Sequence, residues 1–162
     1  METTNKYSYL LKFSQKERYD LSDAVYNITE LIYQDKISHK DKEQFFSVIK
    51  TIIHRGDITS YSCVNLLRDI MTDEMCKFML DELRINIFEN DVLSIEIMKI
   101  INYGDFTEYY EFLESVKDDV KITKELRKFI KTVLDFHNGK RGYFTFPVIN
   151  SDENGEIIRI DW

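Results

Sequence analysis

Apolar residues recur at intervals of three and four along most of the chain, which is the spacing of one buried face of an α-helix. The clearest runs are Ile49, Ile52 and Ile53; Val64, Leu67 and Met71; Tyr109, Phe112, Leu113 and Val116; and Leu126, Phe129, Ile130, Val133 and Leu134. The pattern predicts a mostly α-helical protein with about seven or eight helices of roughly 10–17 residues.

A large apolar residue followed by serine or threonine marks the predicted helix starts. The hydroxyl of such an N-cap accepts a hydrogen bond from a free amide of the first turn, and the apolar residue packs back onto that turn. The pairs are Leu21-Ser22, Ile37-Ser38, Ile58-Thr59, Met71-Thr72, Phe106-Thr107 and Ile122-Thr123. Asn90 or Asp91 supplies a further cap. Gly56, Gly104 and Gly139 stand where helices should end, because glycine readily adopts the left-handed conformation that follows a C-cap.

One helix–turn–helix joint is repeated. Residues 52–61 match residues 100–109 at six of ten positions, an offset of 48. A period in the forties is typical of stacked helix pairs in HEAT and armadillo arrays. The pattern therefore favours stacked antiparallel helix pairs, an α-solenoid of this kind. The alternative is an ordinary helical bundle that reuses one turn chemistry.

The last residues change to a period of two. Alternating apolar residues flank a turn signal at 152–155: Phe144, Phe146 and Val148 before it, and Ile158, Ile160 and Trp162 after it. This pattern predicts a C-terminal β-hairpin. We expect a helical repeat-like domain over residues 1–140, and a hairpin over residues 141–162 that packs its aromatic face on the last helix.

Composition narrows the class of protein. With 162 residues, 43% hydrophobic and 31% charged, the chain fits one soluble globular protein, and no apolar run is long enough to cross a membrane. Two cysteines do not make a disulfide framework, which favours a cytoplasmic protein. The three histidines lack metal-ligand spacing, and the common nucleotide-binding and hydrolase motifs are missing. We expect no enzyme activity, no cofactor and no metal.

Charge is distributed unevenly. Residues 89–119 carry nine acids against two bases, whereas residues 120–141 carry seven bases against two acids, in a chain of net charge −7. On the predicted helix at Thr107, four acids follow one another at steps of three or four: Glu108, Glu111, Glu114 and Asp118, here called the acidic ridge. One interpretation pairs the ridge with the basic stripe of the next helix, Lys124, Arg127, Lys128 and Lys131.

The other interpretation turns the acidic ridge toward a basic partner, since tyrosine is enriched at binding surfaces and acid clusters speed encounter with a positive protein. The candidate partner-binding residues are then Tyr103, Asp105, Glu108, Tyr109, Tyr110, Glu111, Glu114 and Asp118.

Three features of the sequence support a resemblance to a known family: the repeat of residues 52–61 in 100–109, the acidic segment 89–119 and the lack of catalytic motifs. Over about residues 20–140 the chain resembles the helical immunity proteins of bacterial contact-dependent growth-inhibition and polymorphic-toxin systems. The resemblance implies one-to-one binding of a cognate toxin domain, often a basic nuclease whose cleft the acidic surface covers. We expect no direct contact with nucleic acid, because a net charge of −7 is repelled by phosphates, and none with a membrane, because the apolar runs are short. The alternative function is a nucleic-acid-associated or phage accessory helical protein that uses the basic helix 121–131.

Overall fold

The computed structural model describes residues 4–102 and 106–162. They form a mostly helical chain that ends in a two-stranded antiparallel sheet, so the predicted fold class is confirmed. The α-helices are α1 (Arg18–Tyr33), α2 (His39–His54), α3 (Ile58–Leu66), α4 (Asp73–Asn86), α5 (Asp91–Ile101), α6 (Thr107–Val116) and α7 (Lys124–His137). The strands are β1 (Val148–Ser151) and β2 (Ile157–Asp161). Short 3-10 helices occupy Ser8–Lys12, Gln15–Glu17 and Arg68–Ile70.

The chain divides into two compact units, with the boundary between Phe78 and Met79. In the first unit, α3 packs against both α1 and α2. The buried faces follow the predicted spacing: Leu21, Val25 and Ile28 on α1; Phe45, Ile49, Ile52 and Ile53 on α2; and Cys63 and Val64 on α3. Burial raises the pKa of the Cys63 thiol to about 12. Cys76 is half-buried, and burial also raises its pKa.

The joint between α2 and α3 is built from three adjacent features. Gly56 takes a positive φ of 68°, as expected of a residue just past a helix end. The Asp57 side chain caps α3 by accepting hydrogen bonds from the amides of Thr59 and Ser60. The buried Ser60 hydroxyl donates to the Ile52 carbonyl at 2.6 Å, which ties α3 to the end of α2. Gly104, at the matching place in the second copy, lies outside the described residues.

In the second unit, α5 is buried along nearly its whole length and α6 packs against α7. The buried side chains of these helices include Leu93 and Ile97 of α5, Tyr109 and Leu113 of α6, and Leu126, Ile130 and Val133 of α7. The Thr123 hydroxyl donates to Asp91 at 2.7 Å, which joins the starts of α7 and α5. The helical period therefore identified the core faces correctly. Whether the helices form a repeat stack stays a prediction, as does the division at residue 140.

The hairpin is shorter than its sequence pattern suggests. Val148 pairs with Asp161 and Ile149 with Ile160, and Gly155 turns the chain with a φ of 83°. The Asp152 carboxylate accepts hydrogen bonds from the amides of Asn154 and Glu156 within the turn.

The aromatic residues that we expected within the first strand lie before it. Phe144 and Phe146 contact Phe129 of α7, with ring centroids 6.0 and 5.4 Å apart. Ile158 and Trp162 of the predicted aromatic face stay exposed. The expected packing on the last helix is therefore made by the segment that precedes β1, because two short strands offer too little surface to bury both sets of side chains.

Candidate functional site

The acidic ridge lies on the exposed side of α6. The helix buries Tyr109, Leu113 and Val116, spaced by three and four residues, and this fixes which face meets solvent. Glu108, Glu111 and Glu114 are exposed on the other side, and Asp118 is exposed just beyond the end of the helix. Glu108 stands in the first turn, where the partial positive charge of the helix N-terminus favours a carboxylate.

Half of the acidic ridge is paired within the chain. Asp118 forms an ion pair with Lys131 of α7 at 2.7 Å, and Glu114 pairs with Lys117. The hydrogen bond from Lys131 holds the pKa of Asp118 below its ordinary value, and the hydrogen bond to Glu114 raises the pKa of Lys117. Glu108 and Glu111 make no ion pair within the part of the chain that the structure describes. The free charge of the ridge is therefore concentrated at its N-terminal end.

The rest of the acidic segment contributes less surface charge than its composition suggests. Glu96 is buried and pairs with Lys99 at 3.0 Å. Asp91 accepts the hydroxyl of Thr123, and Asp119 accepts the amide of Lys121 at 2.9 Å. These three carboxylates stabilise the fold, because each accepts a hydrogen bond from a neighbouring group or forms an ion pair with it.

The tyrosines of the candidate site occupy different environments. Tyr109, expected at the rim, lies in the core with no exposed surface, and burial raises its pKa well above the ordinary value. Its position follows from the helical period, which places it on the same face as Leu113. Tyr110 is half-buried and stacks on His137 of α7, with centroids 3.5 Å apart and ring planes 9° from parallel. Tyr103 and Asp105 lie outside the described residues.

A shallow groove of about 620 Å³ lies beside the acidic ridge, between α6 and α7. Glu111 and Glu114 line it together with the stacked pair Tyr110 and His137 and with Leu134. Carboxylates beside a flat aromatic surface suit a guanidinium group, which pairs with carboxylates and stacks on rings. The groove is therefore suited to an arginine side chain of a basic protein.

A second surface with tyrosines and acids lies on α1 and was missed by the sequence reading. Tyr19, Tyr26 and Tyr33 follow one another at intervals of seven residues and are half to two-thirds exposed. The exposed Asp23 and the half-buried Glu30 fall between them on the same face. The heptad spacing was visible, but the predicted helix start at Ser22 excluded Tyr19 from the helix.

Within residues 4–102 and 106–162, no group of three or more potential metal ligands is found, and no helix is long and apolar enough to cross a membrane. Comparisons with protein-family models, with curated proteins and with solved structures find no match.

Proposed function

We propose that this protein is a cytoplasmic immunity protein that binds and neutralises a cognate toxin domain. It acts by binding rather than by catalysis, in a one-to-one complex. Its partner is a basic domain such as a nuclease, whose active-site cleft is covered by the acidic ridge. The observation that carries the proposal is that Glu108 and Glu111 are exposed and make no ion pair with any described residue, and that Glu111 lines a groove with a flat aromatic wall.

The electrostatics support a basic partner. A protein of net charge −7 attracts a positive domain over distances up to the Debye length, about 10 Å at 0.1 M salt. At contact, the two unpaired carboxylates occupy the positions that substrate phosphates take in a nuclease cleft. Their binding requires no internal ion pair to be broken, whereas Glu114 and Asp118 would first have to release Lys117 and Lys131.

The first experiment identifies the partner. Immunity genes lie next to toxin genes, so the product of the adjacent upstream gene is expressed in cells with and without this chain. We expect growth arrest by that product alone and normal growth when both are present. A harmless neighbour, or a toxic one that this chain fails to neutralise, would contradict the proposal.

The second experiment tests the surface. The double change Glu108→Lys and Glu111→Lys places like charges against the partner, which typically costs several kcal/mol, or about 100-fold or more in affinity. Binding is measured by calorimetry and the fold by the melting temperature. The matched control is Asp20→Lys with Asp23→Lys, which makes the same charge change at the same spacing in the first two turns of α1. Equal loss in both variants would show a general charge effect and refute the assignment to α6.

A further inference from the structure

A cleft of about 450 Å³ in the second unit is independent of the acidic ridge. It is lined by residues of α7, by the segment 141–145 and by Trp162. The side chains that define its chemistry are Lys128 and Arg141, which are cationic; Phe129, Tyr143 and Trp162, which are aromatic; and the carboxylate of Glu125. None of them belongs to the residues proposed to bind the toxin.

The cleft is held open by packing. Phe144 contacts Phe129 and Phe136 of α7, with centroids 6.0 and 5.1 Å apart, and also contacts Phe146. These contacts anchor the chain at Phe144 and Phe146. Tyr143, the residue before Phe144, is 79% exposed beside the cleft. The flat face of its ring is therefore accessible to a ligand.

The two cations of the cleft differ from the neighbouring Lys131 in their ion pairing. Lys128 and Arg141 make no ion pair with any residue that the structure describes, whereas Lys131, one turn along α7, is paired with Asp118. They belong to the segment 120–141, whose net charge is +5 within an acidic chain. Unpaired cations beside exposed aromatic rings favour a ligand that has both a negative charge and a flat ring system.

We propose that this cleft binds a nucleotide unit, with the base against Tyr143 and Trp162 and the phosphate between Lys128 and Arg141. Every nucleobase has a π-face, so aromatic stacking requires no particular sequence. The guanidinium of Arg141 matches the geometry of a phosphate, and the volume suits one nucleotide rather than a duplex. The Glu125 carboxylate accepts a hydrogen bond from an exocyclic amine of a base. An acidic peptide is repelled by the same carboxylate and offers no such amine, so the cleft favours a nucleotide over other anions.

Trp162 is the single tryptophan of the chain and lines the cleft, so its fluorescence reports binding directly. The full chain is titrated at low salt with adenosine monophosphate, with an eight-nucleotide deoxyadenosine strand, with inorganic phosphate and with polyglutamate. We expect saturable quenching by the nucleotide, by the strand or by both, and none by phosphate or polyglutamate. Equal affinity for the two nucleotide probes identifies a free nucleotide as the ligand. Much tighter, salt-sensitive binding of the strand identifies single-stranded nucleic acid.

Two variants test the site itself. Tyr143→Ala removes the exposed ring, and Arg141→Gln removes the charge; each should weaken binding about tenfold or more, the loss expected for one stacking or charge-assisted contact. Lys124→Gln removes an exposed cation of the same helix that does not line the cleft, and should change affinity less than twofold. Quenching by polyglutamate, no saturable quenching by either nucleotide, or equal effects of Arg141→Gln and Lys124→Gln would overturn the proposal. None of these results bears on toxin binding by α6.

Discussion

Gly139 and Gly142 both follow α7 and differ in backbone conformation. Gly139 has a φ of 74°, whereas Gly142 lies outside the left-handed region. A Cβ added at either position would meet no atom within 4 Å. Alanine substitutions at these two sites therefore measure the effect of backbone strain alone, without the steric crowding that accompanies it at most glycines.

Gly139→Ala should lower the free energy of unfolding by about 1 kcal/mol, because an L-residue is forced into the left-handed region. Gly142→Ala should leave it unchanged or raise it by up to about 1 kcal/mol, because it only restricts the unfolded chain. Urea denaturation of both variants measures the difference, and Gly139→Asn should recover part of the loss. If the two alanine variants are equally stable, the C-cap assignment is wrong.

Single residues also show how far the sequence predicts helix ends. Ser38 and Asn90 cap α2 and α5 as expected, accepting the amides of Asp41 and Leu93. Thr72 likewise accepts the amide of Met75 at the start of α4. Four other expected caps fail. Ser22 lies inside α1, and Thr107 is the first residue of α6 rather than its cap. Asp57 caps α3 in place of Thr59, and the Thr123 hydroxyl donates to Asp91 instead. The sequence predicts that a joint exists, whereas competition between nearby polar groups decides which residue caps it.

At the scale of elements, α6 and α7 are linked near their charged ends by Asp118 and Lys131. The folded-state pKa of Asp118 lies below its ordinary value of 3.8, mainly because Lys131 donates a hydrogen bond to it. The unfolded chain therefore binds more protons than the folded chain as the pH falls toward this range. The stabilisation from the pair is present above pH 3.8 and is lost as the pH falls through the folded value.

Lys131→Gln should raise the pKa of Asp118 toward 3.8 and reduce the dependence of stability on pH in this acidic range. Nuclear magnetic resonance titration of the carboxyl signal measures the pKa, and urea denaturation at several pH values measures the stability. Lys128→Gln, one turn earlier on α7 and without an ion pair among the residues described, is the control and should change neither. An unchanged pKa in Lys131→Gln would contradict the pairing.

The two interpretations of the charged stripes each describe part of the surface. The sequence predicted that acids and bases lie on adjacent helices, which the packing of α6 on α7 brings together. It did not predict that Asp118 pairs with Lys131 of α7 while Glu114 pairs with Lys117 three residues along its own segment, because that depends on which side chains come within reach in the folded chain. The stacking of Tyr110 on His137 likewise depends on contact between the two helices, whereas the burial of Tyr109 follows from the helical period.

At the scale of the whole molecule, the net charge of −7 governs how a positive partner approaches. Raising the salt concentration from about 0.02 to about 0.5 M should slow association with the proposed basic partner steeply, because the Debye length falls from more than 20 Å to less than 5 Å. Stopped-flow measurements give the rate.

The melting temperature of the free protein should change little over the same range, since the ion pairs of the acidic ridge are exposed and weak. Glu108→Gln with Glu111→Gln should flatten the salt dependence. An association rate that does not respond to salt would exclude steering by the acidic ridge.

The fold class followed from periodicity and turn chemistry, which are local properties of the sequence. The cleft on α7 did not, because Lys128, Arg141 and Trp162 are far apart in the chain and meet only after Phe144 and Phe146 pack on Phe129. Sites assembled by such long-range packing leave no spacing signature.

Alkylation of the buried Cys63 thiol measures how often the first unit opens. Only the thiolate reacts with an alkylating reagent, and this sulfur is both shielded and held as a thiol by a pKa of about 12. Each molecule that opens in the presence of iodoacetamide should therefore gain one permanent mass increment on α3, while half-buried Cys76 is labelled much earlier. In a Cys76→Ser variant, the rate of that mass gain counts openings of the first unit over hours. Equal labelling rates of Cys63 and Cys76 would show that Cys63 is accessible to solvent in the folded protein.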